Sequence, residues 1–132
     1  PLIRYKIGDL AIKSSKMISC KCGRNLPIID KIIGRDTDLL YTPKYKILVV
    51  HFFTGIFEHF PEIKQFQVKQ IKKGGEIQIR YIEGINFSKN ILEKIKNKIY
   101  ERAEEDFPLH FSNVEKIKPS PSGKPQIILR AY

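Results

Sequence analysis

Apolar residues recur along the chain with two different periods, and the changes of period divide it into elements. Near the N-terminus Ile3, Tyr5 and Ile7 alternate with Arg4 and Lys6, Gly8-Asp9 punctuates, and Ile12 to Ile18 resumes the pattern. Alternation at period two is what a half-buried strand requires, so residues 2–18 read as a β-hairpin. The polar loop Cys20-Lys21-Cys22-Gly23-Arg24 follows. Residues 26–33 are apolar again and end at Gly34-Arg35-Asp36-Thr37-Asp38, a polar cluster that reads as a domain boundary. The boundary separates residues 1–34 from residues 35–132.

Beyond the boundary, Leu39 to Tyr41 and Tyr45 to Val50 read as short strands. Val49, Phe52, Phe53, Ile56, Phe57 and Phe60 then fall at the offsets of one helical face, and Pro61 ends that helix. A hairpin is expected next: Ile63 to Ile71, the turn Lys72-Lys73-Gly74-Gly75, and Glu76 to Ile82, where Ile77, Ile79 and Tyr81 alternate with Gln78 and Arg80. From Lys89 to Asp106 the period is helical again. Ile91, Leu92, Ile95, Ile99 and Ala103 form the buried stripe, and Ser88 is the expected N-cap. Glu104-Glu105-Asp106 opposes the helix dipole, so this end either frays or finds a basic partner. Leu109 to Ile117 is a further strand, residues 118–125 a Pro/Ser/Gly loop, and Gln126 to Arg130 a closing strand. The order after Gly34 is β-β-α-β-β-α-β-β. That predicts a small α+β domain with a mainly antiparallel sheet and two principal helices, preceded by a β-hairpin.

Composition narrows the function classes. Apolar residues make up 42% of the 132 residues and charged residues 29%, a globular balance that excludes a disordered chain, a collagen-like repeat and a disulfide miniprotein. No apolar run approaches the roughly 20 residues that span a bilayer, and the N-terminus has no apolar leader segment, so a cytoplasmic location and no membrane partner are expected. The net charge of +10 raises the question of nucleic acid. Eighteen of the 24 basic residues are Lys, however, and they are spread along the chain. Base and phosphate readout favours the Arg fork. No nucleic-acid partner is expected, and a small basic α+β module for nucleic acid or another anionic partner is the alternative. His51, His59 and His110 fall in or near elements that pack the core. Cys20 and Cys22 supply two thiolates, too few for a structural zinc site, which takes four ligands.

Three motifs carry candidate chemistry. Asp9 follows Gly8 at a strand end, where a carboxylate can accept hydrogen bonds from both hydroxyls of a vicinal diol such as a ribose. Gly34-Arg35-x-x-Asp38 places a guanidinium fork beside a residue that lets the backbone swivel. Ser120-Pro121-Ser122-Gly123-Lys124 places a compact cation on a short loop. It lacks the Walker pattern and no helix follows it. Each motif alone is ordinary: a turn, a solvated linker, an exposed lysine.

In this order and at these separations the motifs resemble the adenylate-forming acyl-CoA ligase superfamily. Arg4-Tyr5-Lys6-Ile7-Gly8-Asp9, Cys20-x-Cys22-Gly23-Arg24, Gly34-Arg35 and Phe66-Gln67-Val68-x-Gln70 are similar to its phenylacetate-CoA ligase branch and the related capsular polysaccharide biosynthesis protein CapK. The resemblance covers the whole chain but only the C-terminal part of such an enzyme. It implies that residues 1–34 are the tail of a large N-terminal adenylation domain and that residues 35–132 are the C-terminal lid domain. In the family a carboxylate attacks the α-phosphate of ATP, and a thiol, usually coenzyme A, then displaces AMP after the small domain rotates. Asp9 would hold the ribose hydroxyls, and Arg35 would contact the ribose or phosphate side, with Gly123 shaping the nucleotide loop. Lys124 would bridge the carboxylate and the α-phosphate. Gly34, Thr37 and Asp38 would form the hinge, with Thr37 standing where the family usually has an acid. ATP or AMP with magnesium, coenzyme A, a small carboxylate and the N-terminal domain of the same parent chain are the implied ligands and partners. Relatives carry an earlier Cys and His, so Cys20 and Cys22 would be half of a zinc site completed from outside this chain. The chain alone would be inactive, because the ATP loop and the acyl pocket lie outside it.

Overall fold

Gly8, at a φ of +76°, turns the chain into the first strand, β1, Asp9–Lys13. The computed structural model describes residues 3, 5–15, 21–120, 123 and 125–132. The chain forms two compact units, Pro1–Thr37 and Asp38–Tyr132, so the division falls three residues beyond Gly34. In the N-terminal unit β1 pairs antiparallel with β2, Ile29–Arg35. This corrects the hairpin expected within residues 2–18: among the described residues the partner of β1 comes from residues 29–35. Alternation in Ile3, Tyr5 and Ile7 does not mark burial, since these residues are 81%, 66% and 68% exposed. Ile29 and Ile32 are also exposed, and no described residue of this unit is buried.

The larger unit is an α+β fold with a true core. Strands β3, Leu39–Tyr41, and β4, Ile47–Val49, form an antiparallel ribbon. Its loop is closed by Thr42, whose amide donates to the Lys46 carbonyl at 3.0 Å and whose Oγ1 accepts the Lys46 amide at 3.0 Å. Helix α1, Val50–Phe57, follows directly, and the Val50 amide donates to the Asp38 carbonyl. The helix stops at Phe57, short of Pro61, because turn bonds from His59 and Phe60 take over. Strands β5, Ile63–Gln70, and β6, Ile77–Glu83, form the expected hairpin. Helix α2, Asn90–Ala103, buries Ile91, Ile95, Ile99 and Ala103. Lys89, not Ser88, occupies its N-cap; the Ser88 hydroxyl bonds to the Asn90 side chain instead. The acidic end of α2 has found its basic partner: Lys46 Nζ donates to the Ala103 carbonyl at 2.7 Å and to Glu104 Oε2 at 3.0 Å.

Strand β7, Leu109–Asn113, lies parallel to β6, and β8, Ile128–Arg130, lies parallel to β5. The four-stranded sheet therefore runs β7-β6-β5-β8. The three hairpin-type pairings are antiparallel and the two edges of this sheet are parallel. Segment 114–127 must consequently carry the chain from one edge of the sheet to the other. Phe66, Val68, Ile77, Ile79 and Tyr81 point to the face covered by α1 and α2, where they meet Phe53, Ile56, Phe57, Ile95 and Ile99. Phe57 and Phe66 stack with ring centroids 3.9 Å apart.

One buried polar residue ties this layer together. Gln70 is 1% exposed. Its Oε1 accepts the Tyr41 amide at 3.2 Å and the Tyr132 hydroxyl at 2.7 Å. Its Nε2 donates to the Tyr41 carbonyl and the Gly75 carbonyl, each at 2.8 Å. Every hydrogen-bonding position of the carboxamide is thus used.

Two expectations follow. Gln70→Leu keeps the volume but leaves several partners unsatisfied, and should cost roughly 2–4 kcal/mol. The denaturant midpoint should fall with an unchanged slope; a loss under about 1 kcal/mol would show that the carboxamide is not the tie. The second concerns alkaline pH. Burial raises the Tyr132 pKa above the ordinary tyrosine value, Arg130 offsets part of this and Tyr41 adds to it; burial and then Glu83 raise that of Tyr81. The folded state therefore holds these protons more tightly. Their contribution is complete below the unfolded value of about 10 and is lost as pH rises through the folded values. Melting temperature should be flat from about pH 8 to 9 and fall beyond about 10. Tyr132→Phe should soften that fall, and alkaline slopes unchanged from wild type in both Tyr132→Phe and Tyr81→Phe would discard the assignment.

Candidate functional site

The register of β1 and β2 gathers two of the three sequence motifs at one end of the hairpin. Asp9 is the direct antiparallel partner of Arg35. Residues opposite each other in such a ladder project to the same face with Cβ atoms about 5 Å apart. The Asp36 amide donates to the Gly8 carbonyl at 2.7 Å, extending the pairing past the strands. Leu10 then pairs with Gly34 but Ala11 pairs with Ile32, so Ile33 is left over as a bulge. Gly34 takes a φ of +146° there, and a Cβ at this position would meet nothing within 4 Å. Glycine is therefore required for its backbone, not for space. Both Asp9 and Arg35 are exposed. A carboxylate and a planar guanidinium on one exposed face can address a diol and an oxyanion of the same ligand.

Of the residues expected at the hinge, Gly34 lies within the first unit, and Thr37 and Asp38 flank the division in sequence. Thr37 ends the first unit and is exposed; Asp38 begins the second, where its carbonyl accepts the Val50 amide at 3.1 Å.

The third motif sits on the connection between β7 and β8. Gly123 has a φ of +78°, and its amide donates to the Ser120 carbonyl at 2.8 Å. Lys124 lies outside the described residues, as does Cys20. Past this point Pro125, Gln126 and Ile127 line a cavity of about 450 Å³ together with Phe57 and Phe66. The stem of the loop thus comes down beside the end of α1 and the start of β5.

The remaining candidates are dispersed. Cys22 is exposed. His51, His59 and His110 are exposed as well, which corrects their expected place against the core. His51 and His110 take the outward side of α1 and β7, and His59 lies in the turn after α1; Phe53 and Ile56 carry the buried face of α1. Among the described residues no three His, Cys, Asp or Glu side chains cluster as a metal site, and two thiolates do not by themselves match the four-ligand demand of zinc. Sequence reasoning assigned no role to Arg80 and used Gln67 only as part of a pattern. Gln67 is 2% exposed and bonded at both ends of its carboxamide. A polar residue amid the apolar alternation of β5 was the available signal.

Residues 40–131 match the family described as CapK C-terminal domain. No curated protein matches the chain in sequence. In fold the chain is similar to 2-hydroxyisobutyryl-CoA ligase in the postadenylation state in complex with 2-HIB-AMP, with a TM-score of 0.59 and 11% identity over 93% of this chain. The same ligase in complex with 2-HIB-AMP and CoA in the thioesterification state gives a TM-score of 0.52 at 13% identity over 93% of this chain. The chain spans 27% and 28% of the length of those two ligase chains. A domain of phenylacetate-coenzyme A ligase from Bacteroides vulgatus shows a TM-score of 0.49 at 12% identity, covering 71% of this chain and 94% of that one.

The bulge at Gly34 yields a direct test. Gly34→Val forces a β-branched residue to a φ that L side chains rarely adopt, a strain on the order of 1–3 kcal/mol. A two-stranded hairpin has little stability to lose. Amide protection along β1 and β2 should therefore vanish, while the melting of residues 38–132 stays as in the wild type. Retained protection of the Asp36 amide, which donates to the Gly8 carbonyl beside the Asp9–Arg35 pair, would show that the bulge does not need glycine.

Proposed function

The chain belongs to the CapK C-terminal domain family, and from that premise we propose that it is the nucleotide-contacting C-terminal part of a longer adenylate-forming acyl-CoA ligase. In this reading residues 1–34 are the tail of the large adenylation domain and residues 35–132 are the lid, with Gly34, Thr37 and Asp38 at the joint. The observation that carries it is the cross-strand pairing of Asp9 with Arg35. Similarity in fold to a ligase that holds an acyl-adenylate supports the same ligand class.

Each residue has a defined task. Asp9 accepts hydrogen bonds from the two ribose hydroxyls, which orients the nucleotide. Arg35 faces the same ligand from the neighbouring strand and offers its fork to ribose or phosphate oxygens. Adenylation brings a carboxylate towards an α-phosphate, so two anions converge and further charge develops on phosphorus as pyrophosphate leaves. Lys124 places a cation between them and lowers that barrier. In the second half-reaction a thiol, coenzyme A in this reading, attacks the acyl carbon and AMP departs. The lysine loop is then withdrawn by rotation of the lid. Magnesium accompanies ATP in the full-length parent in this reading, and among the described residues of this chain no three His, Cys, Asp or Glu side chains cluster to hold a metal ion. ATP, a small carboxylate and the thiol are the substrates; the acyl pocket lies in the preceding domain. The parent enzyme works in the cytoplasm, and this chain alone is inactive.

The test is made in the full-length parent. Lys124→Ala should lower carboxylate-dependent ATP–pyrophosphate exchange by roughly a hundred- to a thousand-fold. Transfer from added acyl-adenylate to coenzyme A should stay within about threefold of wild type, because the cation is no longer needed. Equal losses in both assays would remove the half-reaction assignment, and no loss in either would remove the family role of the loop.

A further inference from the structure

The chain after Lys124 rejoins the sheet through one backbone bond and one side chain. The Val68 amide donates to the Ile127 carbonyl at 2.7 Å, which begins the pairing of β5 with the closing edge. One residue earlier, and two residues after Lys124 in sequence, the Gln126 carbonyl accepts Gln67 Nε2 at 2.8 Å. Gln67 is the cross-strand partner of Arg80, on the sheet face turned away from the two helices. Arg80 Nη1 donates to Gln67 Oε1 at 3.0 Å. Arginine has only donors, so this contact settles which end of the carboxamide is oxygen and leaves the amide N–H to face Gln126. At 2% exposure the group has little water to turn to. On the opposite stem Ile117 is 6% exposed and anchors the chain by burial.

We propose that Gln67, oriented by Arg80, is a positioning residue for the lysine loop: it prolongs the sheet by one hydrogen bond and fixes where the chain meets the edge at Gln126. The inference rests on the reading of Lys124 as the adenylation cation. A cation placed between two oxyanions must be held to within a fraction of an ångström to act. The sheet ladder alone stops at Ile127; Gln67 carries the constraint to Gln126.

The experiment compares Gln67→Glu and Gln67→Met with wild type by amide hydrogen exchange on the 132-residue chain, corrected for intrinsic rates. Gln67→Glu keeps the shape and the Arg80 contact but sets a carboxylate against the Gln126 carbonyl. Gln67→Met fills the space without a donor. At neutral pH both variants should speed exchange at Gly123 and Val68, whose amides donate to the Ser120 and Ile127 carbonyls, by on the order of tenfold or more, while Ile77, Ile79 and Tyr81 in β6 keep their protection. Acidification below the usual carboxylate range, about pH 3–4, gives the carboxyl introduced by Gln67→Glu an O–H donor. Loop protection should then return in Gln67→Glu but not in Gln67→Met. A role limited to packing would not produce that recovery. Unchanged loop exchange, equal acceleration in loop and ladder, or recovery in both variants would overturn the proposal. The measurement is independent of any substrate, so it can fail while the Lys124→Ala assay upholds the ligase reading, and the reverse also holds.

Discussion

The saturated carboxamide of Gln70 is the contact that the larger unit is built around. Apolar side chains can slide against one another at small cost, but four hydrogen bonds from one planar group fix relative position. Through Gln70 the short ribbon β3–β4, the turn at Gly75 and the ring of Tyr132 are all registered on the end of β5. The ribbon in turn supplies Lys46, which closes the acidic end of α2. A three-residue strand such as β3 has too few ladder bonds to hold its own place. Its position is set from outside, by a side chain that has lost its alternatives in water.

β5 uses a second carboxamide on its other face. Gln67 and Gln70 are three residues apart, so the pleat sends them to opposite sides of the same strand. One registers the ribbon under the helices and the other meets the stem of the loop. The central strand thereby sets the place of two peripheral segments while the helices pack on only one of its faces. An apolar strand would bury comparable surface and leave both segments without a register.

What was legible in the sequence was what depends on neighbours in sequence. The stripe of Ile91, Ile95, Ile99 and Ala103 marked α2, and the alternation around Lys72-Lys73-Gly74-Gly75 marked β5 and β6. Pairings made at a distance were not legible. Nothing in Ile12 or Ile29 announces that β1 will join β2 across residues 14–28, so a nearer partner was expected. Nor does a run as short as Ile128 to Arg130 state whether it will lie parallel or antiparallel; that depends on where segment 114–127 crosses. The motifs at Asp9 and Arg35 were visible separately, but their juxtaposition is a matter of register and of a bulge at Gly34. His51 and His110 show the opposite limit, since an apolar neighbourhood in sequence does not fix which side of the element a residue takes.

The parallel pairing of β8 with β5 has a kinetic meaning. β5 and β6 meet through a tight turn and can zip early, whereas Ile128 finds Val68 only after a loop of about 60 residues has closed. A strand of three residues, docked last on an edge, is also the segment with the fewest bonds to break when the native state opens locally. Within the larger unit that stem is therefore expected to assemble after the β5–β6 hairpin and to release before it. Heat or denaturant below the global transition should detach it while the helices and the β5–β6 hairpin persist, so a preparation can keep its circular dichroism after the reactive segment has lost its place.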